Sequence, residues 1–174
     1  MLQSGDGYLK SATFLGCGRQ LGMPRIARVV VPGLPHHVIQ RGNRCQQTFF
    51  CKDDYRRYLD LLFEFAALYA VEVWAYCLMP NHVHHILAPC DELGLGKLMR
   101  QVHRRYTRAI HFREGWRGYF WQGRFRSFVM DDSYTFAAAR YILRNPVRSK
   151  LVRKAEDWTP SSARVHLGLV TVEK

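Results

Sequence analysis

Acidic side chains are scarce in this 174-residue chain: 14 Asp and Glu face 26 Lys and Arg, leaving a formal net charge of +12 and an isoelectric point near 9.9. So few carboxylates suit a polyanionic partner, most economically nucleic acid. Lysine is scarce as well, since 20 of the 26 cations are arginine, which forks phosphate with two hydrogen bonds and stacks on bases. The five cysteines (Cys17, Cys45, Cys51, Cys77, Cys90) are an odd number without a C-x-x-C pair. That speaks against a disulfide framework and a zinc knuckle, and leaves reduced thiols, several of them core filler. No window nears the roughly 18 unbroken apolar residues of a membrane span. No basic segment followed by a long apolar core opens the chain, so no secretory signal is visible and cytoplasmic, nucleoid-associated residence is expected. No internal repeat is visible.

The remaining composition, 48% apolar with 13% aromatic, is that of a folded globule. Residues 1–22 hold five glycines and little periodicity, and Met23-Pro24-Arg25 reads as a second possible start, so the expectation is a loose extension over 1–22 and one domain over 23–174. Arg28 to Gln40 is strand-like and closes in the loop Arg41-Gly42-Asn43-Arg44. A helix follows from about Asp53, with Tyr55, Tyr58, Leu59, Leu62, Ala66 and Tyr69 as its apolar stripe. Val71–Met79 and His82–Ala88 read as strands joined by the turn Pro80-Asn81. A second helix turns Leu98, Val102, Tyr106 and Ala109/Ile110 inward, and its other side carries Lys97, Arg100, Arg104, Arg105 and Arg108, a strip shaped to follow a phosphate backbone. Tyr119–Met130 suggests a short hairpin around Gly123. Asp131-Asp132-Ser133 caps a third helix ending near Asn145, before Pro146, and the tail beyond Lys150 looks irregular. The order of elements predicts an α+β sandwich with helices on one face of an antiparallel sheet.

The candidate chemistry sits at Met79-Pro80-Asn81-His82-Val83-His84-His85. Alternation along a strand puts His82 and His84 on one face and Val83 on the other, half a site for a divalent metal. On the third helix Asn145 could ligate Mg²⁺ or Mn²⁺ through its amide oxygen, and Tyr141, four residues earlier, shares its face. A tyrosine hydroxyl beside a metal-polarised phosphate could act as nucleophile and store the phosphodiester's energy in a phosphotyrosine. Each piece also has a plain structural reading. An H-x-H pair packs in cores about as often as it binds metal, Tyr141 lies on the apolar stripe Tyr134, Ala137, Ala138, Tyr141, and Asn145 before proline can simply end a helix. His85 points away from the pair, and His36 and His37 could line the site from the neighbouring strand without any spacing that requires it.

Pro80-Asn81-His82-Val83-His84 resembles the HUH motif of single-tyrosine transposases. His37-Val38-Ile39-Gln40-Arg41-Gly42-Asn43, Trp121-Gln122-Gly123-Arg124-Phe125 and Arg140-Tyr141-Ile142 through Asn145-Pro146-Val147 are similar to the HVxxRGN, WQGRF and RYIxxNPV segments of the REP-associated branch. Trp158-Thr159-Pro160-Ser161-Ser162 is similar, more loosely, to its WPxSS tail. The likeness runs over about residues 23–168 in the family's order. It implies a ferredoxin-like or RRM-type fold with the histidine pair on a central antiparallel strand. It also implies Mg²⁺ or Mn²⁺ held by His82, His84 and Asn145, and attack by Tyr141 on single-stranded DNA beside a palindromic hairpin, giving a 5′-phosphotyrosine and a free 3′-hydroxyl. Arg41, Asn43, Arg124 and Arg126 are expected near the backbone or bases, and Arg100, Arg104, Arg105 and Arg108 along the backbone. The competing expectations are a catalytically silent nucleic-acid-binding module and a phosphodiesterase that uses water. Monomer and homodimer, with the tyrosine delivered within one chain or from a partner, both fit the sequence.

Overall fold

The computed structural model describes residues 28–170; the extension expected over 1–22 lies outside them. Four strands form one antiparallel sheet: β1 (His36–Arg41), β2 (Val71–Met79), β3 (His82–Pro89) and β4 (Arg126–Val129), in the order β2-β3-β1-β4. Between β1 and β2 runs α1 (Lys52–Leu68), and after β3 comes α2 (Gly94–Glu114). The β-α-β-β-α-β succession with β3 inserted between β1 and β2 is the split arrangement of ferredoxin-like folds. The chain goes on through α3 (Asp132–Leu143), the single turn α4 (Asn145–Arg148) and the short α5 (Ala163–His166).

Strand alternation sets two cores. Val38, Leu78, Val83 and Leu87 face α1 and α2, where they pack with Tyr58, Leu62, Leu98, Val102 and Tyr106. Ala75, Cys77, Met79 and Ile86 face the other way and meet Met130, Ala138 and Ile142 of the α3 region. A register shift in β2 between Val73 and Ala75 makes this possible, because it turns the odd-numbered residues from the first core to the second. The α+β sandwich is therefore as the sequence suggests, with one correction. Two helices share one face, but α3 covers the opposite one, since its buried residues Ala138 and Ile142 have an apolar partner surface only there.

Two further expectations change. No hairpin forms around Gly123: Trp121 makes an isolated bridge to Gly42 at the end of β1, and only Arg126–Val129 pairs as a strand, against β1. Gly42 has to be glycine there, because a Cβ would collide with the Gln46 carbonyl oxygen. The tail is also less irregular than its composition suggests. Leu78 N–H donates to the Pro160 carbonyl at 2.9 Å, Ser162 N–H to the Tyr76 carbonyl at 3.0 Å and the Trp158 indole to the Leu78 carbonyl at 3.0 Å, so the tail covers the outer edge of β2.

The helices are pinned at their ends. Asp54, 2% exposed, accepts hydrogen bonds from the backbone N–H groups of Phe50 and Cys51 at the start of α1 and a two-pronged pair from Arg113 near the end of α2. Burial opposes its charge, but Arg113 and those amides outweigh it and hold the carboxyl below its ordinary range.

Candidate active site

His82 and His84 stand on the α3 side of β3, with ring centroids 5.0 Å apart and planes at 81°. Register places Arg41 of β1 opposite His82, Ile39 opposite His84 and His37 opposite Ile86, so all three share that face. Val83 and His85 take the other face. His85 is buried against Tyr58, whose hydroxyl lies 3.1 Å from its Nε2 and 3.2 Å from Nε2 of His103.

Both site histidines have one nitrogen engaged. The Asn81 amide donates through Nδ2 to the Cys45 carbonyl (3.1 Å), which turns its Oδ1 toward His82. That oxygen can only accept, so His82 carries its proton on Nδ1 and leaves Nε2 bare (2.6 Å). Nδ1 of His84 is hydrogen-bonded to Nε2 of His37 at 3.0 Å, again leaving Nε2 free. Burial, then the nearby Arg41 charge, lowers the His82 pKa to about 4. Burial, then His82, His37 and Arg41, lowers His84 to about 3. Both rings are therefore neutral at pH 7, the form that ligates metal.

The donor set fits a hard or borderline divalent ion. Among the described residues no group of three or more His, Cys, Asp and Glu side chains is placed to hold a metal. Asn145, the polar residue expected to complete the pair, is 9% exposed and begins α4 just after the end of α3. The break at Arg144 has a simple cause: Pro146 has no N–H to offer the Ile142 carbonyl, and the helix resumes at Asn145, one residue on.

Tyr141 is 43% exposed, its ring edge-on to His84 with centroids 6.1 Å apart at 84°. The stripe Tyr134, Ala137, Ala138, Tyr141 thus lines a cleft of about 470 Å³, shared with His37, Ile39, His84 and Phe128, while Ile142, with Ala138 at the boundary, packs into the core. Of the two histidines, Tyr141 makes its ring contact with His84 alone. The Arg148 guanidinium lies over its ring at 4.7 Å, and Arg140, Arg144 and Arg148 line an adjoining hollow with Tyr141. These three arginines, with Asn81, are what sequence reasoning missed. The signal was there, because positions 140, 144 and 148 repeat at four-residue spacing on either side of the tyrosine.

The expected DNA contacts divide between the two layers. Arg41 and Arg126 are exposed on the histidine face. Arg124 is exposed just before β4, and Asn43 donates its backbone N–H to the Phe120 carbonyl beyond the end of β1 (2.8 Å). Arg100, Arg104, Arg105 and Arg108 lie on α2, in the layer behind the sheet from Tyr141. Arg105 is occupied there, 3.9 Å from Glu64 and 4.8 Å above the Phe65 ring.

Comparison with known proteins bears on family and fold. Residues 31–145 match the family model of IS200-like transposases. Among solved structures, a REP-associated tyrosine transposase bound to a REP hairpin superposes with a TM-score of 0.69 at 21% identity, over 86% of this chain and 89% of that one; it shares the fold. A candidate transposase from Deinococcus radiodurans R1 is 22% identical over 68% of this chain and 95% of its own, with a TM-score of 0.48. No curated protein matches in sequence. Among the described residues no helix is long and apolar enough to cross a membrane. With its family match spanning both histidines, Tyr141 and Asn145, the chain belongs to the IS200-like transposases, a family of DNA-cleaving strand transferases.

Proposed function

We propose that this chain cuts and rejoins single-stranded DNA beside a hairpin, through a covalent bond between Tyr141 and a DNA 5′-phosphate. The observation that carries the reading is the placement of Tyr141: half-exposed, edge-on to His84, and ringed by Arg140, Arg144 and Arg148. The arginines draw a phosphate to the hydroxyl and hold its non-bridging oxygens with charge-assisted hydrogen bonds. Arg148, stacked on the ring, fixes the hydroxyl's direction of approach. The tyrosine Oη attacks phosphorus, the bond from phosphorus to O3′ breaks, and O3′ leaves as a hydroxyl. The phosphotyrosine retains the energy of the broken linkage, so a 3′-hydroxyl can later attack it and restore a phosphodiester. His82, His84 and Asn145 would hold Mg²⁺ or Mn²⁺, which would draw charge off the phosphate oxygens. Asn81 holds His82 in the tautomer that ligation needs, and His37, bonded at Nδ1 of His84, orients that ring. The REP hairpin bound by the REP-associated relative supports a palindromic hairpin as the substrate here.

The test is cleavage of labelled single-stranded hairpin DNA with Mn²⁺. Cleavage that stops with chelator and in His82→Ala, while DNA binding persists, supports the reading, because phosphate contacts supply affinity without chemistry. Binding insensitive to chelator and no cleavage would mark a silent binding module, and cleavage without a protein–DNA adduct a water-using phosphodiesterase. Either result overturns it.

A further inference from the structure

Behind the sheet lies a second surface that the chemistry at Tyr141 does not use. A groove of about 600 Å³ follows the second half of α2, lined by Arg104, Thr107, Arg108, Phe112, Trp116 and Trp121, with no acidic side chain in its lining. Phe112 is 90% exposed and Trp116 41%. Rings of this size left open to water at one place mark a recognition surface rather than a core. Trp116 is also held in position. Gly115 ends α2 in the left-handed conformation, and Trp116 then rests edge-on against Phe50 at 5.5 Å. Trp121 lies 4.6 Å from the His103 ring, and its indole N–H is shielded from water without a hydrogen-bond partner.

The cations of the groove are available. Arg108 pairs with no acid among the described residues, and Arg104 bonds only the neutral Gln101. Arg105 and Arg113, by contrast, are bound to Glu64, Asp54 and Glu114. Free guanidinium groups beside open aromatic faces are the chemistry that holds unpaired nucleotides: phosphates meet the charge and bases stack on the rings. A duplex keeps its base faces inside its own stack and gains nothing from such platforms. The groove also adjoins the reactive face. Trp121 bridges Gly42, Gln122 N–H donates to the Arg41 carbonyl at 2.8 Å, and Arg41 stands opposite His82 in the sheet. The end of β1 thus connects the two layers.

We propose that the α2 groove is a stacking site for unpaired nucleotides of the DNA strand beyond the reactive phosphate, with Phe112 and Trp116 as platforms and Arg104 and Arg108 on the phosphates. The proposal rests on the reading that this chain acts on DNA, but its test requires no cleavage. The full chain carrying Tyr141→Phe is titrated with a short unstructured oligodeoxythymidine, followed by tryptophan fluorescence and by anisotropy of labelled DNA. Phe112→Ala and Trp116→Ala alter exposed rings only, and each should weaken binding by about 5-fold to about 150-fold. Arg108→Gln should lower the salt dependence by about one counterion. Phe63→Ala, an exposed ring on α1, should bind like the parent. Equal binding by Phe112→Ala, Trp116→Ala and the parent overturns the proposal. So does a concentration-dependent dimer, seen by sedimentation, that Trp116→Ala abolishes. Should the wild-type chain fail to cleave while these losses appear, the catalytic reading falls and the groove stands.

Discussion

Replacing Asn81 by alanine removes the acceptor that holds the His82 proton on Nδ1. Without it the ring can turn, and the tautomer with a bare Nε2 loses its advantage. Loss of such an outer hydrogen bond costs roughly 10- to 100-fold in metal affinity, or about 1.4 to 2.7 kcal/mol. Folding should suffer less. Asn81 is half-buried in a turn, and the other bond lost is its donation to the Cys45 carbonyl, a loss of about 1 kcal/mol. The assay is a Mn²⁺ titration by calorimetry, paired with thermal unfolding of the metal-free chain. Asn81→Ala should bind Mn²⁺ at least tenfold more weakly with a small loss of stability, and excess Mn²⁺ should restore DNA cleavage. Asn81→Asp, whose carboxylate still accepts from Nδ1, should recover much of the affinity. Wild-type affinity in Asn81→Ala would refute the idea that this amide sets the His82 tautomer.

Three other outcomes follow from the same geometry. His36, His37, His82, His84, His85 and His103 all have lowered pKa values, with burial the leading cause in each. The unfolded chain therefore binds more protons below about pH 6.5; stability should be full above that pH and fall as pH drops from about 6.5 toward 4, and urea unfolding across that window would reveal a flat profile if the reasoning fails. Mn²⁺ binding, set by His82 near 4 and His84 near 3, should by the same sign survive at pH 5.5, where an ordinary histidine pair is mostly protonated; titration at pH 7.5 and 5.5 checks it. Asp54→Ala removes the carboxylate that reaches back to the Phe50 and Cys51 amides at the start of α1 and its tie to Arg113, at a cost of about 2–3 kcal/mol, discounted because Arg113 is partly exposed, and calorimetric unfolding measures it.

Much of this molecule is legible in its sequence where periodicity and packing agree. The stripe from Tyr55 to Tyr69 runs along α1, and the alternation through His82–Ala88 separates His84 from His85 as β3 does. Alternation alone could not reveal the register shift at Val73/Ala75, which turns half of β2 toward a second core and gives α3 a face of its own. The same limit governs Tyr141. Its stripe is apolar and helical, and nothing in the period says whether such a stripe meets a core or a cleft; the answer depends on Ala138 and Ile142 taking the buried positions. Arginine density points to α2, where Arg105 is tied to α1. The arginines beside the tyrosine are fewer, and density does not single them out. Asn81 reads as a turn residue, and its bond to His82 is a matter of side-chain direction that spacing does not carry.

The central claim is that Tyr141 takes the DNA phosphate, and the tyrosine's own neighbours provide the measurement. Cleavage after Arg140 and after Arg144 releases a tryptic tetrapeptide, Tyr141-Ile142-Leu143-Arg144. After incubation with single-stranded hairpin DNA and Mn²⁺, nuclease trimming and trypsin, mass spectrometry should find this peptide carrying a nucleotide through the tyrosine oxygen, and Tyr141→Phe should yield no adduct. A nucleotide on a different peptide, or an adduct that persists in Tyr141→Phe, would contradict the account.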